Sequence, residues 1–318
     1  MGVLFDGIRK LPAEHVGMKK EILLQWMAES QMLEKANARL NDAAIQVSEW
    51  FRKKGFRTCI LKGQGNALMY PNPYSRTPGD IDIWVEGGDK RVISFVRSIS
   101  PHEKACYHHI DFPSYKGVEV EVHYRPSFLL CFWHNRKLQK YYERVKEEQF
   151  SHRVMLGEQG EIAIPTVEFN LIFQLTHIYA HLMNEGIGLR QLLDYYYVLI
   201  SDDLLLIRDR VQKELKELGL WKFAGAIMYI MQEVFGMPAS RLIVPPNEKY
   251  GKFVLNEVLE AGNFGKHDAR NRFGRSQFGH NLQRVYRDIR LVRYFPAEAL
   301  CEPLFRIWHF FWRMKNKK

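Results

Sequence analysis

The segment Gly79-Asp80-Ile81-Asp82-Ile83-Trp84 alternates acid with isoleucine. Strand side chains alternate faces, so Asp80 and Asp82 point the same way while Ile81 and Ile83 point into a core. Their Cα atoms are then about 7 Å apart, close enough for both carboxylates to grip one divalent cation. Two like charges crowded on a half-buried strand repel by several kcal/mol at an intermediate dielectric, so a positive partner is expected. Mg²⁺ carrying a nucleotide phosphate meets that need. Upstream stands Leu61-Lys62-Gly63-Gln64-Gly65. Gly63 and Gly65 let the backbone approach phosphate oxygens, and a helix starting there offers unpaired N–H groups. Such glycine turns are more often plain structural turns.

A third acid strengthens the pattern. In Gly117-Val118-Glu119-Val120-Glu121-Val122-His123-Tyr124 the valines share one face, and Glu119, Glu121 and His123 the other. Either glutamate completes a carboxylate triad around two metal ions about 3.5–4 Å apart. The bland alternative is a half-exposed strand with a polar outer side. His109 and His123 read as polar neighbours of the acids. The metal reading requires Glu121 beside the aspartates, with no lysine ammonium plugging the space.

The elements that must position these residues follow from periodicity. Apolar positions Leu24, Ala28, Met32, Leu33, Ala36 and Leu40 predict a helix from about Glu21 to Lys54. A short strand over Thr58–Leu61, a brief helix over Gln64–Tyr70, and the breaker Pro71-Asn72-Pro73 come next. A loop through Tyr74, Arg76, Pro78 and Gly79 leads into the aspartates, and Asp89 opens a helix to about Ile99. The pattern blurs from Phe128 to Phe150. Glu161–Pro165 is extended, and helical periodicity dominates from Val167 onward. The fold class is α+β: a mixed β-sheet with flanking helices, then an all-helical C-terminal domain. The expected division is an N-terminal helical segment over 1–48, a core over 49–150 and a helical domain over 151–318.

At 318 residues and 46% hydrophobic content the chain can bury a sizeable core. Its 4 cysteines are scattered without a CxxC pair, arguing against a zinc knuckle or disulfide framework. Neither a signal peptide nor a membrane-spanning run is evident, so a cytoplasmic protein is expected. The net charge of +10 is concentrated from Lys266 to Lys318, where 13 basic residues face 4 acids. Arg284, Arg287, Arg290 and Arg293 form a helical basic stripe facing water, a nucleotide triphosphate or a polyanion such as nucleic acid. The closing aromatic run, Leu304 to Arg313, either packs a final helix onto the domain or lies on an anionic membrane surface.

His177 and His181 stand four apart on a helix, and so do Arg190 and Asp194, which can pair. For the histidines, packing inside the helical half, contact with base or acceptor, and metal binding with Glu185 are the alternatives. His-Ile-Tyr-Ala-His lacks the glutamate that a zinc metalloprotease needs after its first histidine.

Taken in order, Leu61-Lys62-Gly63, Tyr70-Pro71, Arg76, Gly79-Asp80-Ile81-Asp82 and Glu121-Val122-His123-Tyr124-Arg125 resemble a bacterial family of uncharacterised nucleotidyltransferases. That family falls within the superfamily that includes DNA polymerase β. The likeness runs from about Arg57 to Ile200 and continues through His177, His181, Leu189-Arg190 and Asp194. It implies a nucleotidyltransferase-fold core and Mg²⁺-dependent (or Mn²⁺-dependent) transfer of a nucleoside monophosphate from a triphosphate such as ATP to an unknown hydroxyl acceptor. Asp80 and Asp82 would bridge both ions and Glu121 would bind one. Lys62, Gly63, Gln64, Gly65 and Arg76 would hold phosphates. Gln64 departs from the usual serine, and the gap from Gly63 to Asp80 is longer than usual. A non-catalytic nucleotide- or partner-binding module on the same fold, or a nucleic-acid-directed transferase, would carry the same motifs.

Overall fold

A short α1 (Gly2–Arg9) precedes the long α2 (Lys20–Lys53) in a computed structural model that describes residues 2–158, 160–262, 268, 270 and 277–316. Helix α2 buries Leu40, Ala43, Ala44, Val47 and Phe51, spaced to share one face. Toward its N-terminus the expected stripe does not hold, since Leu24 and Met32 are exposed. The buried face passes instead through Asn37 and Asn41. Asn37 donates to the carbonyls of Tyr74 and Arg76 at 2.9 and 2.7 Å. Asn41 accepts from the Gln64 amide. Hydrogen bonding, not apolar burial, selects that face, and it fastens to α2 the loop that delivers the aspartates.

The chain then forms β1 (Thr58–Ile60), α3 (Gln64–Ala67), β2 (Ile81–Val85) and α4 (Gly88–Ile99). Next come β3 (His109–Tyr115), β4 (Val118–His123), α5 (Phe132–Ser151), β5 (Arg153–Met155) and β6 (Glu161–Ala163). The main sheet has the order β1-β2-β4-β3, with β2 parallel to β4 and the outer pairs antiparallel. Strand β2 is buried along its whole length. Phe51, Phe56, Phe95 and Phe112 interlock, with ring centroids between 4.6 and 6.3 Å. On the β2 face opposite Ile81 and Ile83, Trp84 packs on Phe150 at 4.6 Å. The blurred stretch of the sequence is largely α5, and β3 and β5 are strands that periodicity did not announce.

Among the described residues the helices that follow are α6 (Val167–Asn184), α7 (Leu189–Leu199), α8 (Leu204–Glu217), α9 (Trp221–Phe235), α10 (Glu248–Ala261), α11 (Gln277–Leu291) and α12 (Pro296–Lys315). By internal contacts the chain divides into two units. One comprises Met1–Ala105, His109–Tyr124 and Glu147–Pro165; the other comprises Cys106–His108, Arg125–Lys146 and Thr166–Lys318. The first holds both sheets. The second is built around α6, apolar nearly all round and capped by the Thr166 side chain, which accepts from the Phe169 N–H.

The arginine stripe of α11 is not a uniform solvated face. Arg287 is buried and donates to the carbonyls of Asn184 and Glu185. Arg290 pairs with Glu257 at 3.1 Å, and Arg293 is exposed. Lys266, Arg272, Arg275, Lys317 and Lys318 lie outside the described residues. Helix α12 divides similarly: Phe305 stacks on Phe128, whereas Leu300, Leu304, Ile307, Phe311 and Met314 are exposed. Among the described residues no helix is long and apolar enough to cross a membrane.

One titration marks this helical unit. Burial, with the Glu302 carboxylate beside it, raises Asp288 to about 7. An unfolded aspartate ionises near 3.8, so between that pH and 7 the folded chain alone keeps the proton. This contribution to stability is complete below the unfolded value and is lost as pH rises through 7. Asp288→Asn is therefore expected to melt about 2–5 °C above the parent at pH 8, with the advantage shrinking as pH falls and absent below the unfolded value, as read by thermal scans.

Candidate active site

Register builds the acidic cluster. Asp82 on β2 stands directly opposite Glu121 on β4, with Trp84 opposite His123. Asp111 of β3 pairs with Glu121 from the other side, and His109 with His123. Side chains at opposed positions share a face, so Asp82, Glu121, His123 and His109 gather on one side of the sheet. Asp80 enters just ahead of β2. Ligand oxygens of Asp80, Asp82 and Glu121 all lie within 4.8 Å of one another. Glu119 is exposed and outside this group.

The glycine turn abuts the cluster. The Leu61 N–H donates to the Asp82 carbonyl at 2.9 Å, which carries Lys62 alongside. Gly63 has φ +63°, a left-handed conformation that favours glycine, and a side chain there would sit 3.5 Å from the Asp80 carbonyl. Gly65 answers a packing need: a Cβ would meet Ile164 at 3.0 Å. Gln64 is buried toward Asn37 and Asn41 of α2, so its side chain does not stand in for a phosphate-holding serine. Arg76 lies in the loop ahead of β2, where its guanidinium donates to the Thr77 carbonyl at 3.2 Å.

Lys62 does reach the acids. Its Nζ lies 3.0 Å from Asp82 Oδ2, and His123 Nε2 lies 3.0 Å from Asp82 Oδ1. His123 Nε2 and His109 Nδ1 each stand 3.4 Å from Glu121 Oε2. Burial would lift Asp82, but Lys62 and His123 hold its carboxyl far below the ordinary range. Burial likewise opposes the imidazolium of His123, yet Asp82 and Glu121 raise it to about 9. His109, desolvated and beside that imidazolium, falls to about 4 and is neutral. Asp80 moves the other way: repulsion from Asp82, then burial, raises it. Burial works against Lys62, and the three carboxylates more than offset it.

Counted as ions, Lys62 and His123 answer two of the three carboxylates, and the raised Asp80 marks the uncompensated charge. A divalent cation fits this donor set, since all three ligands are hard oxygens in mutual reach. A cation there competes with the Lys62 ammonium for Asp82 Oδ2. The space is thus not clear of lysine, against the requirement drawn from the sequence: the sheet register that gathers the acids also delivers Lys62 from the end of β1. Asp111 escaped sequence reasoning, although His109-Ile110-Asp111 alternates polar residues about an isoleucine as Asp80-Ile81-Asp82 does.

His177, His181, Arg190 and Asp194 belong to the helical unit. The two histidines approach Nε2 to Nε2 at 3.0 Å, and His181 Nδ1 lies 3.7 Å from Glu185. His181 thus stands between its neighbours on α6. Both histidines line a cavity of about 320 Å³ with Tyr107, Arg284, Phe305 and Arg306. Arg190 is exposed and Asp194 buried.

A mixed sheet with this acidic face, entered through a glycine turn, is the architecture of a nucleotidyltransferase. The chain belongs to the family of uncharacterised nucleotidyltransferases, whose signature matches residues 1–236. No curated protein matches it. Among solved structures it is similar to an antigenic nucleotidyltransferase-like protein from Paracoccidioides brasiliensis. That likeness has 13% identity and a TM-score of 0.32, and covers 57% of this chain and 90% of the other. The family assignment rests on the signature.

Proposed function

We propose that the protein transfers a nucleoside monophosphate from a nucleoside triphosphate to a hydroxyl acceptor, releasing pyrophosphate, with Mg²⁺ or Mn²⁺ held by Asp80, Asp82 and Glu121. The observation carrying this reading is the convergence of those carboxylates with one negative charge left unanswered. The acceptor oxygen forms its bond to the α-phosphorus as the bond to pyrophosphate breaks, and the hydroxyl proton leaves to solvent. A bound divalent ion would neutralise phosphate charge and lower the pKa of the acceptor hydroxyl. His123 keeps Asp82 and Glu121 ionised and oriented from beneath. Lys62, when released from Asp82, supplies an ammonium for phosphate oxygens. Gly63 lets the backbone pass close to the same oxygens.

The acceptor is a small hydroxylated molecule, a sugar or a protein side chain. The Lys62–Asp82 ion pair favours a second reading, in which the same face binds nucleotide or a partner without turnover. Incubation with each of the four labelled triphosphates and Mg²⁺ or Mn²⁺, with and without candidate acceptors, separates the two. Metal-dependent pyrophosphate release or self-labelling supports transfer. Saturable nucleotide binding with no release under any acceptor supports the second reading.

A further inference from the structure

Cys131-Phe132-Trp133-His134 leads into α5, and Glu298-Ala299-Leu300-Cys301 opens α12. Each places two metal-ligating types three residues apart, a spacing that brings side chains to one side of a helical turn. The ligand atoms of Cys131, His134 and Glu298 lie within 4.8 Å of one another. His134 Nδ1 is 3.2 Å from Glu298 Oε1, and Cys301 neighbours Cys131 while standing outside the mutual reach of the other three. We propose that Cys131, His134, Glu298 and Cys301 form a structural site for a borderline-soft divalent metal, with zinc the best match.

The donor set makes the choice. Two sulfurs, an imidazole nitrogen and a carboxylate suit zinc, not magnesium or calcium. Tetrahedral zinc with bonds of about 2.0–2.3 Å has ligand–ligand edges of about 3.3–3.8 Å; Cys131, His134 and Glu298 lie within 4.8 Å of one another, and Cys301 would turn in to join them. With Cys301 turned in as the fourth donor no position would stay open, which marks a structural site and not a catalytic one.

The surroundings hold the donors as a metal site requires. Glu298 Oε2 accepts from the Leu130 and Cys131 amides at 2.6 and 3.0 Å, which leaves Oε1 turned to His134. The His134 ring fills the place of a side chain at Gly219, where a Cβ would stand 2.5 Å from Nε2. Nδ1 is therefore the nitrogen that faces the cluster. Cys131 and Glu298 are buried. A bound dication would deprotonate the coordinating thiols. The site would tie the last helix to the chain entering α5. It is independent of the carboxylates of β2 and β4.

The test uses the full chain, purified under reducing conditions and analysed for metal. About one zinc per chain is expected. Replacement by Co²⁺ should give a thiolate-to-cobalt charge-transfer band and the intense visible bands of a tetrahedral site. Cys301→Ser and His134→Gln should lose stoichiometric zinc and the cobalt spectrum, while Asp80→Asn keeps both. Cys301 and His134 are less buried than Cys131, so these variants are chosen to remain folded, which far-UV circular dichroism verifies. Chelation should lower the melting temperature of the parent by about 5 °C and leave that of Cys301→Ser unmoved. A chain without zinc that takes up no Co²⁺ overturns the proposal. So does a folded Cys301→Ser with an unchanged cobalt spectrum, or a Cys131–Cys301 disulfide forming in place of metal uptake.

Discussion

Asp80→Asn is expected to remove nucleotidyl transfer while leaving the fold at least as stable as the parent. Asp80 is the carboxylate whose charge the protein does not answer: Asp82 repels it, and burial adds to the cost. Neutralising it relieves that repulsion, so the unfolding free energy from denaturant titration should be unchanged or should rise by about 1 kcal/mol. Turnover should fall on the order of 10²–10³-fold or more, because one of the three carboxylates proposed to hold the divalent ion is gone. Asp82→Asn is the poorer experiment. It leaves the Lys62 ammonium and the His123 imidazolium without their shared carboxylate. Breaking such a buried pair costs about 3–5 kcal/mol, and lost activity would then be confounded with lost fold. Pyrophosphate release and denaturation measured on one preparation of Asp80→Asn separate chemistry from folding. Parent-like turnover in that variant would remove the carboxylate triad as the catalytic centre.

The acids were legible because strands write their faces into sequence. Asp80-Ile81-Asp82 and Glu119-Val120-Glu121 alternate strictly, and the structure seats both segments in one parallel pair. Alternation alone left Glu119 and Glu121 equivalent, although both face the same way. Register decides between them by setting Glu121 opposite Asp82 and leaving Glu119 at the exposed end of β4. Register is a tertiary property and no single segment carries it. Strand β3 was hidden because Pro113 and Ser114 interrupt its alternation near a register shift between Phe112 and Tyr115. Helix α5 was hidden because Asn135 and Gln149 share its buried face with Leu138, Tyr141 and Tyr142. The same effect displaced the face of α2, where Asn37 and Asn41 are inside and Met32 outside. In each helix, polar side chains are buried because they hold backbone or side-chain partners, and hydropathy periodicity is blind to that. The domain boundary drawn at 48–49 likewise treats α2 as separate from the core, whereas α2 is the element that anchors the loop before Asp80.

Lys62→Met should turn the stability of the sheet-bearing unit into a reporter of cation binding. In the parent, Lys62 pairs with Asp82 Oδ2 and keeps that buried carboxylate ionised together with His123. Methionine keeps the apolar stem and deletes the ammonium, so without divalent cation the variant should lose about 2–4 kcal/mol. If a cation enters among Asp80, Asp82 and Glu121, it competes with Lys62 in the parent and meets no competitor in the variant. Mg²⁺ should then recover most of the lost stability, with a half-maximal concentration roughly tenfold below that of the parent. Thermal scans across a Mg²⁺ series, with chelator as the zero point, provide the measurement. Equal destabilisation of Lys62→Met at every Mg²⁺ concentration would mean that no cation reaches Asp82, and the lysine would then be the site's permanent counter-ion. Recovery by Mg²⁺ without recovery of turnover would divide the two roles of Lys62, as guardian of Asp82 in the empty site and as phosphate ligand in the filled one.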